Sequence, residues 1–210
     1  PAWALAIMRD LIEANGGHTI VLSATSSAGR EYATQLRLLA QGRWRVYSQW
    51  DGMSKEATTN AWRSDATSVL VGTRSYMTGV DAPGRTCSLV IIDRVPRGAG
   101  NVVDDARVEV MVAQGKSEHR ARDMVYAMDA AQLLEQAAGR LIRSTSDSGM
   151  VAILDPRLLK SQDIAYAPTT RKIYMDALRY FPNKTADLSV ARDFLLAQGE
   201  TPGQVAKVAA

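Results

Sequence analysis

The sequence predicts an α/β protein with a mostly parallel sheet flanked by helices on both faces. Three observations point there. Short apolar runs of strand length recur along the chain, at Thr19-Ile-Val-Leu22, Ser68-Val-Leu-Val-Gly72, Ser88-Leu-Val-Ile-Ile92-Asp93 and Met150-Val-Ala-Ile-Leu154. Stretches of helical periodicity separate them, and that alternation builds right-handed βαβ units. The run from Ser88 is apolar without alternation and ends in a carboxylate, the pattern of a strand covered on both faces.

In order, residues Trp3 to Glu13 read as a helix stopped by Asn15-Gly16-Gly17. The strand Thr19 to Leu22 leads through Ser23-Ala-Thr25-Ser26-Ser27 into a helix from about Ala28 to Ala40. A second strand, Arg45 to Ser48, precedes a helix from Lys55 to Trp62 and the strand Ser68 to Gly72. After Ser88 to Asp93, helices run from about Val103 to Arg143, and the strand Met150 to Leu154 is expected to close the sheet. Pro168 to Lys172 reads as a surface connection and Asp187 to Gln198 as a last amphipathic helix. In such a sheet ligands bind beyond the carboxyl ends of the strands, where the candidate motifs lie.

The bulk properties exclude more than they assign. At 210 residues the chain can bury a full core, and 46% apolar with 22% charged residues argues against disorder. A net charge of +3 permits a nucleic-acid partner without demonstrating one. With one cysteine, Cys87, the chain can form no internal disulfide, and His18 and His119 share no metal-ligand spacing. No apolar run reaches membrane-spanning length and no signal peptide is visible, so an intracellular, cytoplasmic protein without a membrane partner is expected. The opening Pro1-Ala-Trp-Ala lacks an initiator methionine, which fits a segment of something longer.

The richest stretch is Gln136-Ala-Ala-Gly139-Arg140-Leu-Ile-Arg143-Ser144. On a helix, Gln136, Arg140 and Arg143 fall at i, i+4 and i+7 and share one face, while Leu134, Ala137, Ala138 and Leu141 share the other. Two guanidinium forks and an amide suit a phosphate, although a solvated basic helix end has the same spacing. Two other stretches mislead. Gly79-Val-Asp-Ala-Pro-Gly84-Arg85-Thr86 imitates a phosphate-binding loop, but the next strand begins at once and leaves no room for the helix whose amides would hold the phosphates. Ser23-Ala-Thr25 imitates a coupling motif of a first helicase core domain, yet it is followed directly by two βα units.

Taken together these segments resemble the C-terminal RecA-like domain, a P-loop NTPase-type fold, of a superfamily 2 helicase of the DinG/XPD-like group. Gly72-Thr73-Arg74-Ser75-Tyr76-Met77-Thr78-Gly79-Val80-Asp81-Ala-Pro-Gly84 resembles motif V, Gln136 to Ser144 motif VI, and Leu22-Ser-Ala-Thr25-Ser26 motif IV. The runs Ser88 to Pro96 and Val151 to Arg157, and the segment from Tyr180-Phe181-Pro182 to Phe194, add to the likeness, which extends from about Gly17 to Leu196. It implies an N-terminal helix or linker from a preceding domain over residues 1–17 and a helicase C-terminal domain over 18–199, and the tail over 200–210 is expected to be disordered. In one respect the chain departs from the pattern. Relatives commonly carry a tryptophan-glutamate pair where Met77-Thr78 stands, so a role that depends on that carboxylate does not carry over.

The resemblance implies an ATP site, with Mg2+, shared with an N-terminal RecA-like domain of the same parent protein. Arg140 and Arg143 would be arginine fingers, and Gln136 would bond the phosphate or the attacking water. Gly79, Asp81 and Gly139 would lie at the nucleotide, although Gly79 and Asp81 fit a plain turn equally well. No iron–sulfur cluster belongs to this chain, since its one cysteine could not hold it. Thr25, Ser26, Thr73, Arg74 and Gln49 would meet the backbone of single-stranded nucleic acid, DNA by resemblance; N-capping is the alternative for the hydroxyls. Trp44, Trp50 and Trp62 could stack on bases or pack, and Arg171, Lys172 and Lys184 form a loose basic cluster. The chain alone is expected to hydrolyse no ATP. A non-catalytic nucleic-acid-binding module of helicase ancestry and a free-standing interaction domain remain alternatives; a dinucleotide enzyme would need a Gly-x-Gly-x-x-Gly loop after the first strand, which is missing.

Overall fold

A computed structural model describes residues 2–77, 87–96, 102–139, 148–159, 164–200 and 207–209. Its elements are α1 (Ala2–Ala14), β1 (Thr19–Leu22), α2 (Ser26–Ala40), β2 (Val46–Ser48), α3 (Lys55–Arg63), β3 (Val69–Gly72), α4 (Arg74–Met77) and β4 (Leu89–Ile92). They continue with α5 (Val102–Ala113), α6 (Glu118–Ala138), β5 (Met150–Ile153), α7 (Pro168–Ala177), β6 (Asn183–Thr185), α8 (Leu188–Glu200) and β7 (Lys207–Ala209). The sheet order is β2-β3-β1-β4-β5-β7-β6, and every described pairing is parallel. The predicted α/β class is therefore the observed one.

Alternate strand residues divide between two apolar layers, as a period of two demands. Val21, Val69, Val71, Leu89, Ile91 and Ala152 face α1, α2 and α8, packing with Met8, Leu36 and Leu195. Ile20, Leu70, Val90, Ile92, Val151 and Ile153 face the other way, toward α3, α6 and α7. Strands buried on both faces need continuous apolar runs, which is why β1, β3, β4 and β5 read as they do. At the amino end, Gly17 sits at φ +93°, and a Cβ there would lie 2.1 Å from the Thr67 carbonyl oxygen. Only glycine permits that approach, so the stop after α1 also seats the chain beside β3.

The strands end flush. Leu22 is level with Gly72 and with Ile92, and Ile92 with Ile153, so the residues that follow each strand emerge along one rim. Strands on either side of β1 are reached in opposite directions, which makes that rim a topological switch point.

Two expectations are corrected. Residues 168–172 are not a connection but the first turns of α7, with Pro168 at the position where a missing N–H costs nothing. The strand over 150–153 does not close the sheet, because β7 and β6 lie beyond it. The helical region after Val103 is also split, by a turn in which Gly115 takes φ +88°. Trp62 and Trp44 are buried, which settles both as packing residues, whereas Trp50 is half-exposed. No described helix is long and apolar enough to cross a membrane.

Candidate functional site

The rim at the strands' carboxyl ends collects polar side chains in a fixed arrangement. After β1, the Ser23 hydroxyl donates to the Asp93 carboxylate at 3.2 Å and the Ala24 N–H donates to its other oxygen at 2.8 Å. Asp93 follows β4 and is buried, and the Ser23 N–H in turn donates to the Gly72 carbonyl at the end of β3. The loop after β1 is thus tied to two neighbouring strands. Burial pushes the Asp93 carboxyl above the usual carboxylate range, partly offset by the Ala24 N–H, the Arg94 guanidinium and the Ser23 hydroxyl.

That loop presents Thr25 and Ser26, both exposed, at the start of α2. Thr25 has extended φ and ψ and its hydroxyl accepts the Ala28 N–H at 3.3 Å, so it is an N-cap. After β2, the Gln49 side-chain carbonyl accepts both the Thr73 N–H at 2.8 Å and the Thr73 hydroxyl at 2.9 Å. Ser75 reaches the same oxygen at 3.5 Å, while Arg74 and Ser75 are exposed at the start of α4. Lys55, from α3, donates to the Ser75 carbonyl and lies 5.4 Å from the Tyr76 ring centre. Of the five residues expected to meet a nucleic-acid backbone, all therefore lie on this rim, and Gln49 and Thr73 touch.

The nucleotide-facing candidates divide differently. Gln136 is half-buried in the last turn of α6, with Leu134, Ala137 and Ala138 buried on the opposite face. Gly139 continues the helical backbone and is exposed, but its N–H donates to the Glu135 carbonyl at 2.8 Å. Its N–H is therefore already engaged, and the position exposes backbone without a side chain. α6 packs beside α4, so the opening of the motif V segment and the end of the helix carrying Gln136 belong to neighbouring elements. A side-chain amide at a helix end is compatible with a phosphate tail. Arg140, Arg143, Gly79 and Asp81 lie outside the described residues, as do Thr78 and the remainder of the imitation phosphate loop.

Beyond β5, Asp155 is buried and accepts the Val95 N–H at 3.1 Å, the Tyr166 hydroxyl at 2.9 Å and two bonds from Arg157 at 2.8 Å. Burial raises this carboxyl, but the Arg157 fork and the other donors more than compensate and hold it below its ordinary value. Tyr166 is shifted upward by burial and by the adjacent carboxylate. The basic cluster expected from the sequence is spent locally: Arg171 donates to the Leu158 carbonyl at 2.6 Å, Lys184 to that of Phe181 at 2.7 Å, and Lys172 pairs with Asp176. Among the described residues no His, Cys, Asp or Glu cluster could hold a metal. Asp93 and Asp155 tie the rim's loops together, a role that the family-like runs containing them do not by themselves reveal. Each is an aspartate ending an apolar run, the one signal in the sequence that marks it.

A family-level comparison decides what this arrangement belongs to. Residues 8–169 match the family described as the helicase C-terminal domain, a span that covers most of the chain and includes the rim residues Thr25, Ser26, Gln49, Thr73 and Arg74 and the end of α6. The chain belongs to that family. Similar full-length proteins include the ATP-dependent helicase DinG of Mycobacterium tuberculosis, 36% identical over 155 residues, covering 73% of this chain and 22% of that protein. The ATP-dependent DNA helicase YoaA of Escherichia coli is 34% identical over 161 residues, 73% of this chain and 23% of its own length. YoaA of Haemophilus influenzae is 33% identical over 198 residues, 90% of this chain and 28% of its own. The helicase C-terminal domain seen here thus spans about a quarter of the length of these curated relatives, and the DinG-type RecA-like assignment made from motifs holds.

Proposed function

We propose that this chain is the second motor domain of an ATP-dependent nucleic-acid helicase, gripping the backbone of single-stranded DNA with its carboxyl rim. The observation that carries the reading is the convergence of Thr25, Ser26, Gln49, Thr73 and Arg74 on that one rim in a chain of this family. Hydroxyls, an amide and an arginine there suit phosphate oxygens and read no base edges. The aligned segments make up only 22% to 28% of these relatives, and two of them are named DNA helicases, which supports a first RecA-like lobe elsewhere in the parent protein.

In this reading ATP, when bound between the lobes with Mg2+ held by the first, supplies the transferable phosphoryl group. Gln136 contributes a hydrogen bond and Gly139 the room for it. Arg140 and Arg143 neutralise charge developing on the phosphate oxygens, an effect of about 10³ to 10⁵ in rate for an arginine finger. Fixed charge aimed at the transition state needs no reorganisation. Alternating grip of the rim, in step with closure and opening of the lobes, moves the protein along the strand.

The test is Arg140→Ala in the intact protein. Single-strand-stimulated ATP turnover should fall at least a thousandfold, roughly the lower end for an arginine finger, with nucleotide still binding. Unchanged turnover removes the finger role. The pure 210-residue chain should hydrolyse no ATP, and robust turnover by it would mean a complete site within this chain. The Met77-Thr78 departure favours a second reading, a nucleic-acid-binding module without catalysis. It predicts strand binding with no ATPase in the intact protein.

A further inference from the structure

The rim carries a cation that no motif accounts for. Arg30 is exposed on α2 and its guanidinium carbon lies 5.4 Å from the Trp50 ring centre. Trp50 follows Gln49 directly and is half-buried against the first turn of α2. Its ring comes so close to Gly29 that a Cβ there would sit 2.3 Å from the indole. Arg30 is four residues beyond Ser26, so the two share a helix face, and side chains on a helix lean toward its amino end. Among the described residues Arg30 has no carboxylate partner.

We infer that Arg30 is a further phosphodiester ligand at this rim and that Trp50 is the positioning residue that aims it. The inference rests on the nucleic-acid reading of the same rim. Three features support it. A flat guanidinium resting on an indole loses less freedom on binding than a free chain, and its edge keeps donors for phosphate oxygens. Gly29 leaves room for the indole against α2, so the Arg30 guanidinium is held over the residue that directly follows Gln49, on the same helix face as Ser26. Arg74, exposed at the start of α4, and Lys55, which donates to the Ser75 carbonyl, add positive charge near Thr73.

The experiment is a titration of the intact protein with fluorescein-labelled oligothymidylate and, separately, oligouridylate, between about 50 and 200 mM salt. For the unaltered protein, log affinity should fall linearly with log salt. Arg30→Ala should reduce the magnitude of that slope by about 0.7, the share of a single phosphate on a single strand. Arg30→Lys should restore most of the slope. Trp50→Leu should weaken binding when Arg30 is present and have no further effect on Arg30→Ala, whereas a purely structural tryptophan would weaken both equally. Circular dichroism and the melting temperature of each variant report whether it is folded. A folded Arg30→Ala protein with the original slope overturns the inference and leaves the rim reading intact. An unaltered protein with no salt-dependent affinity for either oligonucleotide overturns both. Equal weakening on both oligonucleotides fits a phosphate ligand, and weakening confined to one assigns Arg30 to base or sugar recognition and overturns it.

Discussion

The side-chain carbonyl of Gln49 accepts both the N–H and the hydroxyl of Thr73, locking the ends of β2 and β3 together at 2.8 and 2.9 Å. One amide thereby fixes where a motif V hydroxyl points. Gln49→Ala leaves the Thr73 N–H without its partner, at a cost of about 1–3 kcal/mol. Gln49→Glu keeps both bonds but adds negative charge beside the proposed phosphate path. Melting temperature should therefore fall for the alanine variant and hold for the glutamate, while single-strand affinity falls for both.

Gly29→Ala sets two effects against each other. Alanine favours a helix by about 1 kcal/mol over glycine, but here its Cβ would sit 2.3 Å from the Trp50 ring and 3.2 Å from the Ser23 Cβ. Overpacking of that kind costs roughly 1–3 kcal/mol. Net destabilisation is expected in urea titrations, and Gly29→Ala combined with Trp50→Ala should recover part of it. Additive losses would show that the indole is not what Gly29 accommodates.

The two buried aspartates give opposite pH dependences. Asp155 is held below its ordinary value of 3.8, so its stabilisation is complete above that value and is lost as pH falls through the lower folded one. Asp93 is raised above 3.8, so the folded state holds its proton longer and stability declines as pH climbs from 3.8 through the raised value. Urea midpoints measured against pH should flatten below 3.8 in Asp155→Asn, and just above 3.8 in Asp93→Asn. A flattening in the reverse windows would contradict both environments.

Cys87 is buried and burial pushes its thiol up to about 12. Alkylation at pH 8 should therefore be slow in the native protein and follow opening of the core around β4. Labelling at the rate of a free thiol in the folded protein would place Cys87 at the surface.

Much of this architecture is legible in the residues, because a parallel sheet writes its buried strands as unbroken apolar runs. The runs Ser68 to Gly72 and Ser88 to Asp93 mark β3 and β4 to within a residue of their ends for that reason. Asn183-Lys-Thr185 carries no such mark: its pairing at the far edge comes from tertiary neighbours and its residues are polar and mostly exposed. Pro168 looks like a breaker between elements, yet proline at a first helical position is a start signal, and the apolar stripe of α7 follows it. The rim's residues are individually visible in the sequence, but their partners are not. Nothing local joins Asp93 to Ala24 across 69 positions or Gln49 to Thr73 across 24, and only the flush strand ends bring them together.

Asp93 also determines how force would spread through this domain. Its carboxylate holds the Ala24 N–H and the Ser23 hydroxyl from the middle of the sheet. A tug on the start of α2 is consequently borne by β4 rather than absorbed in a slack connector. The amino end of α2 and the central strand are therefore one mechanical unit at this point.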